Sequence, residues 1–418
     1  MRFVTIGLLI CLVFVSPART EIPEGVDFIK AVFDVIELGD PIETETVILY
    51  PILAPRVPRD PGVTAQTRTK ALSFAEPKKF RFKHDLEVTN NSDEPVLLLG
   101  GTVVEGGKRD RLIRRDHVIA PKATLVVRAL PASAGSETRR EPIPFKISDA
   151  MAPLYLRAKA DHGGSESTVT HFIDRWLDMR DDGDERKSLA ALSESSKLQK
   201  YTLRDREKAG RLPAVLKDKL VVGVVASMYG RVQGMLLFGS NELLAAHVDT
   251  LVKGSTYASA CIELRAKQVG IPVPGEEDAE ATRAAVEKDV KKLMADLQKA
   301  KIKKNKSDEG EAADRYAIKC SDQSSGYAVV HQGKLAHLAV YKYDLFANKL
   351  YGGKVAEPVV KQPKSDERDD GGDVSGGNDG WASYGRRASG NGRLTVAEQR
   401  YVNRASGFRG GGGGGRGR

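Results

Sequence analysis

Val221-Val222-Gly223-Val224-Val225-Ala226-Ser227-Met228-Tyr229 runs into Gly230-Arg231 and then Val232-Gln233-Gly234-Met235-Leu236-Leu237-Phe238. Two apolar, partly β-branched runs around a glycine that opens a turn describe a β-hairpin. The next segment of the chain has a different period. Ser240 is placed as an N-cap for a helix carrying Leu244, Val248, Leu251 and Ala258. A second helical stretch spans 276–306, with acids gathered at its start and lysines at its end, as the helix dipole favours. Val286, Val290, Leu293 and Leu297 make a narrow apolar stripe along it, one packing face on an otherwise solvated helix. Two heptads are too short a run to favour a coiled coil. Residues 316–320, 327–331 and 335–343 then return to β-type patterning.

Upstream of the hairpin, strand-like runs occupy 33–38, 47–53, 80–89, 95–104, 112–119 and 124–130. Gly39-Asp40-Pro41, Asn90-Asn91-Ser92-Asp93 and Pro121-Lys122 separate them as turns. Near Ser165 the pattern changes: Val169, Phe172, Ile173, Trp176 and Leu177 fall on one face of a helix. Polar segments at 180–187 and 193–200 link this helix to the hairpin. These readings give an α+β domain over 26–345, with a β-rich half at 26–150 and a mixed half of helices and β-hairpins at 160–345 that holds a helical insertion at about 276–306.

The ends of the chain differ from this body. Met1-Arg2, an apolar run over 3–15 and Ser16-Pro17-Ala18 have the form of a signal peptide over 1–18, too short to span a bilayer. No later segment is apolar enough for a transmembrane helix, so the expectation is a secreted protein, periplasmic or extracellular after cleavage. From 354 onward glycine, serine and charged residues replace core formers, giving a disordered Gly/Arg-rich tail over 354–418. The formal charge of the 418 residues is +9. Residues 380–418 carry eight arginines against the single acid Glu398, so most of that charge sits in the tail. A basic patch on the folded body is therefore not implied. The tail arginines, with Tyr384, Tyr401 and Phe408 among them, suit an anionic surface or polymer. Cys261 and Cys320 remain after signal removal, compatible with one disulfide or with two buried thiols.

Chemical motifs are few. Residues 101–108 have glycines and a lysine in phosphate-loop style, but Thr102 takes the first glycine position and Arg109 that of the magnesium-binding hydroxyl. No nucleophile elbow or zinc-protease helix occurs. His331, His337 and Asp322 fall short of a convergent ligand set, so neither metal nor cofactor is expected. The distinctive block is Gly106-Gly107-Lys108-Arg109-Asp110-Arg111. Paired glycines allow close backbone approach, and the cations after them could hold an anion such as phosphate; the residues by themselves favour a glycine-rich hairpin whose charges face water.

Asn90-Asn91-Ser92-Asp93-Glu94-Pro95-Val96-Leu97-Leu98-Leu99 followed by that block resembles the signature of a bacterial family, the first ADP-ribosylglycohydrolase and rhodanese-phosphatase superfamily associated protein domain. Gly230-Arg231-Val232, Phe238-Gly239-Ser240, Ser255-Thr256-Tyr257-Ala258 and Ala336-His337-Leu338 resemble its second half in order, extending the likeness over about 26–343. Thr102 and Arg109 stand where the family pattern has a glutamate and a glutamine, while Gly106, Gly107 and Arg111 match. The resemblance implies, by association, a nucleotide-like anion of the ADP-ribose or NAD kind. The leading expectation is thus an exported module binding such an anion through Lys108, Arg109 and Arg111. The alternatives are an envelope scaffold tethered by its tail, and a hydrolase using Glu105 or Asp110 as general base.

Overall fold

The computed structural model describes residues 25–44, 46–55, 60–68, 71–78, 82–133, 139, 141–161, 166–178, 188–192, 195–196, 198–200, 220–268, 270, 272–273, 279–305 and 310–342. The expected signal peptide at 1–18, the tail at 354–418 and most of the polar linker lie outside them. The fold is α+β.

The hairpin forms as read. Val221–Met228 and Arg231–Phe238 pair antiparallel and are buried at every position but Arg231. Tyr229 (φ 48°) and Gly230 (φ 72°) supply the two left-handed residues of a type I′ turn. Around the hairpin grows one antiparallel sheet in the order Glu37–Leu38, Val47–Leu53, Val221–Met228, Arg231–Phe238, Lys334–Lys342, Ser324–His331, Asp314–Lys319 and Lys301–Asn305, with Ile42–Glu43 added along Val47–Leu53. Both faces are covered, which is why its central strands are apolar throughout rather than alternating. Val222, Val225, Met235, Leu237, Leu338 and Val340 face helices Gly25–Val35 and Ala279–Gln298. Val224, Leu236, Phe238, Ala339 and Tyr341 belong to the opposite core, with Leu154–Asp161, Glu166–Leu177 and Asn241–Gln268.

Three small sheets make a β-unit against that second core. One joins His117–Ile119, Val96–Leu98 and Thr64–Ala65; another Thr124–Val127, Leu86–Asn90 and Leu72–Ala75; the third Ala129–Pro131, Arg111–Ile113, Thr102–Gly107 and Ile143–Met151. Leu86, Val88, Leu98, Val104, Ile113 and Val127 form its interior. Leu97, Leu99, Val103 and Leu112 point the other way, into the core of the large sheet.

Several elements depart from their sequence reading. Phe33 closes a helix, Gly25–Val35, because Phe28, Ile29, Val32 and Phe33 together make a buried helical face; only Glu37–Leu38 of the expected strand is extended. The expected helix over 276–306 stops at Gln298, and Lys301–Asn305 forms the last strand of the sheet. Lysines suit a helix end and an outermost strand alike, and here the open edge of Asp314–Lys319 takes the backbone. The runs at 95–104, 112–119 and 124–130 each break into two strands, the first at Gly100-Gly101. The strand Ile143–Met151 and helix Leu154–Asp161 went unread. Cys261 and Cys320 are free thiols that pack into the cores on opposite faces of the large sheet. No helix of the described residues is long and apolar enough to cross a membrane.

Candidate functional site

The six residues read from sequence as an anion site, Gly106 to Arg111, span the turn that joins Thr102–Gly107 to Arg111–Ile113. Gly106 and Gly107, both at positive φ, admit Phe145 of the neighbouring strand: a Cβ on Gly106 would stand 2.5 Å from the Phe145 Cα. Lys108 is exposed. Arg109 is buried and donates to Ser133 Oγ (2.8 Å) and to the Ser133 carbonyl (2.9 Å). Arg111 donates to the Arg109 carbonyl, stands 3.6 Å from Glu76 Oε1 and keeps one unpartnered nitrogen, Nε. Asp110 accepts from the Gly106 amide (3.0 Å), Arg139 Nη2 (2.6 Å) and the Ser188 hydroxyl, so its carboxylate is committed to holding the turn. Glu105 pairs with Lys146 at 3.4 Å.

A second polar assembly lies where the β-unit meets the large sheet. Asp116, in the loop between Arg111–Ile113 and His117–Ile119, is fully buried. Its Oδ1 accepts from the Gly100 amide (2.7 Å) and the Tyr327 hydroxyl (2.8 Å), and its Oδ2 from His337 Nδ1 (2.5 Å). Tyr327 and His337 come from adjacent strands of the large sheet. Burial alone would push the Asp116 carboxyl up, but the hydrogen bond from His337 and the charges of Arg157 and Arg315 outweigh it and hold it far below the usual range. Burial lowers the His337 imidazole despite Asp116 beside it, which leaves a neutral ring whose Nε2 has no partner. Arg315 stacks 3.8 Å over the Tyr327 ring and pairs with Asp161 at 2.8 Å. Asp161 ends the helix Leu154–Asp161, and Arg114 donates to the Ala160 carbonyl at 2.7 Å, so cations gather at the negative end of its dipole.

That helix carries Arg157, which is 1% exposed. None of its three guanidinium nitrogens makes a hydrogen bond of good geometry, but the Tyr327 and Tyr341 hydroxyls interact with the group and Nη2 stands 4.0 Å from Asp116 Oδ1. Burial disfavours the charge, yet Tyr341, Tyr327 and Asp116 more than offset it, so the guanidinium stays ionised. Unpaired donors on a buried cation are costly, about 1–3 kcal/mol or more in apolar surroundings. Arg157 also lines a small recess between the large sheet and the two flanking helices. Leu49, Val224 and Leu236 form the sheet side, Val248, Leu251 and Val252 the helix side, and Arg157 is the one charged residue in the lining.

Gly101 is what lets Arg157 lie there. It has φ 89°, and a Cβ would come within 2.6 Å of the arginine's Cγ and Cδ. Gly101→Ala is expected to cost about 1–3 kcal/mol, read as a lowered urea midpoint; an unchanged midpoint would show that the stem has room to move.

Sequence reasoning weighed His337 only as a metal ligand, with His331 and Asp322. In the structure His331 Nδ1 bonds the Ala312 carbonyl at 2.7 Å, Asp322 is exposed, and no metal-binding group of His, Cys, Asp or Glu occurs among the described residues. Asp116, Arg157 and Tyr327 were missed. An arginine amid Leu154-Tyr155-Leu156 and Ala158 was the available signal, because apolar neighbours on all sides imply burial of the charge with them.

Comparison with known proteins gives one family. The model of the ARPP-1 domain, ARG and Rhodanese-Phosphatase-superfamily-associated Protein domain, matches residues 35–341. No curated protein and no solved structure matches. The match spans the β-unit and nearly all of the large sheet, from Glu37–Leu38 to Lys334–Lys342. The chain therefore belongs to the ARPP-1 family.

Proposed function

We propose that this chain is an exported binding protein for a small organic anion, held through Arg157. One observation carries the reading: a fully buried guanidinium, without a well-formed hydrogen bond, borders a small recess. An anion that pairs with it would recover the lost hydrogen bonds in a low-dielectric setting, where a charge-assisted bidentate contact is strong. The hairpin arginines offer less, since Arg109 is bonded to Ser133 and Arg111 to a carbonyl within its own turn. Export rests on the pattern of residues 1–18. Phosphate-bearing derivatives of ADP-ribose and NAD are what the family association suggests for the ligand. A binding role is favoured over hydrolysis because Asp110, the carboxylate best placed in the hairpin, already accepts three bonds.

The experiment is calorimetric titration of the full chain and of Arg157→Gln with ADP-ribose, NAD and inorganic phosphate in one buffer. Saturable heat with at least one anion, reduced at least about tenfold in affinity by the substitution, is expected. Binding that survives Arg157→Gln but is lost in Arg111→Ala would move the ligand to the hairpin and overturn the reading.

A further inference from the structure

Arginines crowd together where the third small sheet meets the end of the helix Leu154–Asp161. Arg114 follows the strand Arg111–Ile113, and its amide donates to the Arg128 carbonyl at 3.1 Å. That bond extends the pairing of Ala129 with Ile113 by one residue, so Arg114 and Arg128 stand directly opposite each other. Like charges so placed are destabilising. Burial and then the charges of Arg128, Arg115 and Arg315 push the Arg114 guanidinium down to about 10. Arg114 donates Nε to the Ala160 carbonyl and has no ion-pair partner among the described residues. Asp161 is divided between Arg315 at 2.8 Å and Arg115 at 3.6 Å. The helix end explains a cation at Ala160, and Asp161 explains Arg315; neither explains a guanidinium kept opposite Arg114.

Two members of the cluster reach solvent. Arg128 is exposed, and the Arg115 side chain is 41% exposed. Arg128 lies 3.8 Å over the ring of Phe82, itself 41% exposed. Stacking fixes the plane of a guanidinium, and a guanidinium held in plane presents an N–H edge to an oxyanion. Arg114, Arg115 and Arg315 all draw on Asp161, a surplus of cations that one negative charge does not offset and a dianion does. A phosphate monoester carries about −1.5 to −2 charge at neutral pH and three strong acceptor oxygens, enough to meet two arginines at once. We propose that Arg115 and Arg128 form a surface site for a phosphate monoester, with Arg114 adding to the positive field and the Phe82 ring beside the body of the ester. The site does not involve Arg157, and ADP-ribose and NAD, whose phosphates are diesters, are poor ligands for it. Inorganic phosphate presents the same oxygens, but only an ester has a body to lay against Phe82.

The test titrates the full chain at fixed ionic strength with phenyl phosphate, glycerol phosphate, inorganic phosphate, sulfate and ADP-ribose. Phenyl phosphate should bind most tightly, and Phe82→Ala should bring it level with glycerol phosphate. Arg115→Gln and Arg128→Gln should each weaken phenyl phosphate about tenfold, and Arg157→Gln should leave it unchanged. Lowering the pH through the second phosphate ionisation near 6 should weaken both esters several-fold relative to sulfate, which stays a dianion. Arg128→Gln should leave the urea midpoint unchanged or raised, because it removes a repulsion. A lowered midpoint with unchanged binding would make Arg128 a structural residue and overturn the proposal. So would the absence of ester binding, or ester binding lost in Arg157→Gln alone, which would place the ligand at the buried guanidinium. ADP-ribose binding as tightly as phenyl phosphate through Arg128 would overturn the monoester assignment.

Discussion

Asp116→Ala is expected to destabilise the folded chain by about 3–5 kcal/mol, the range seen when one partner of a buried charge assembly is removed. The residue accepts hydrogen bonds from Gly100, Tyr327 and His337 and balances the charges of Arg157 and Arg315. Its loss leaves three donors unsatisfied and two buried guanidinium groups with less compensation. The partners lie on the β-unit, the large sheet and the helix between them, so the cost falls on the joint between layers rather than within one element. Urea unfolding of the full chain should show a midpoint lowered by about 1–2 M, taking a slope of about 2–3 kcal/mol/M. Asp116→Asn retains an acceptor and the shape, and should lose less than Asp116→Ala. A loss under about 1 kcal/mol for the alanine variant would mean that the assembly contributes little, its Coulomb gain having been spent on desolvation.

The second large effect is a dependence on pH. His247 is fully buried, stacks on Phe238 at 5.5 Å between centroids, and donates Nδ1–H to the Leu243 carbonyl at 2.8 Å. Burial pushes its imidazole down from 6.5 to about 4. The folded state therefore binds the proton less readily than the unfolded chain. The resulting stability is fully present above about pH 6.5 and drains away as the pH falls toward about 4, a total of about 3 kcal/mol. The His337 imidazole is lowered too and acts in the same direction. Asp116, depressed for the opposite charge type, keeps its contribution until the pH drops below the ordinary carboxylate range near 4, so the two effects separate. His247→Leu should flatten the slope between about pH 6.5 and about pH 4 while leaving the fall at lower pH. Equal slopes for the variant and the parent chain would show that His247 is not what titrates.

Local period made part of this architecture legible. The hairpin Val221–Phe238 announced itself by two apolar runs and a glycine turn, and Val169, Phe172, Ile173 and Trp176 by a helical stripe that the structure buries. The helix Leu154–Asp161 was illegible for a physical reason: Leu154, Tyr155, Leu156, Arg157, Ala158 and Ala160 are all buried, so no polar face marks a period. The site suffered twice over, because its charged residue lies on that helix and its other members meet only through topology. Asp116 and His337 are 221 residues apart, and pattern within a window cannot bring them together. The motif at 106–111 drew attention for its charges. Its glycines answer instead to Phe145, and its aspartate to the turn.

Val47–Leu53 lies beside Glu37–Leu38 and Ile42–Glu43 on one edge, but its other edge waits for Val221–Met228. During synthesis that edge has no native partner until a chain more than 160 residues longer has emerged. The N-terminal and C-terminal halves that composition separates so readily are thus not two folding units. A fragment ending near residue 150 would expose a long, apolar row of free amides and carbonyls, open to pairing with another copy. Contacts of such high sequence separation also make for slow folding, so the nascent chain carries this adhesive edge through much of its translation.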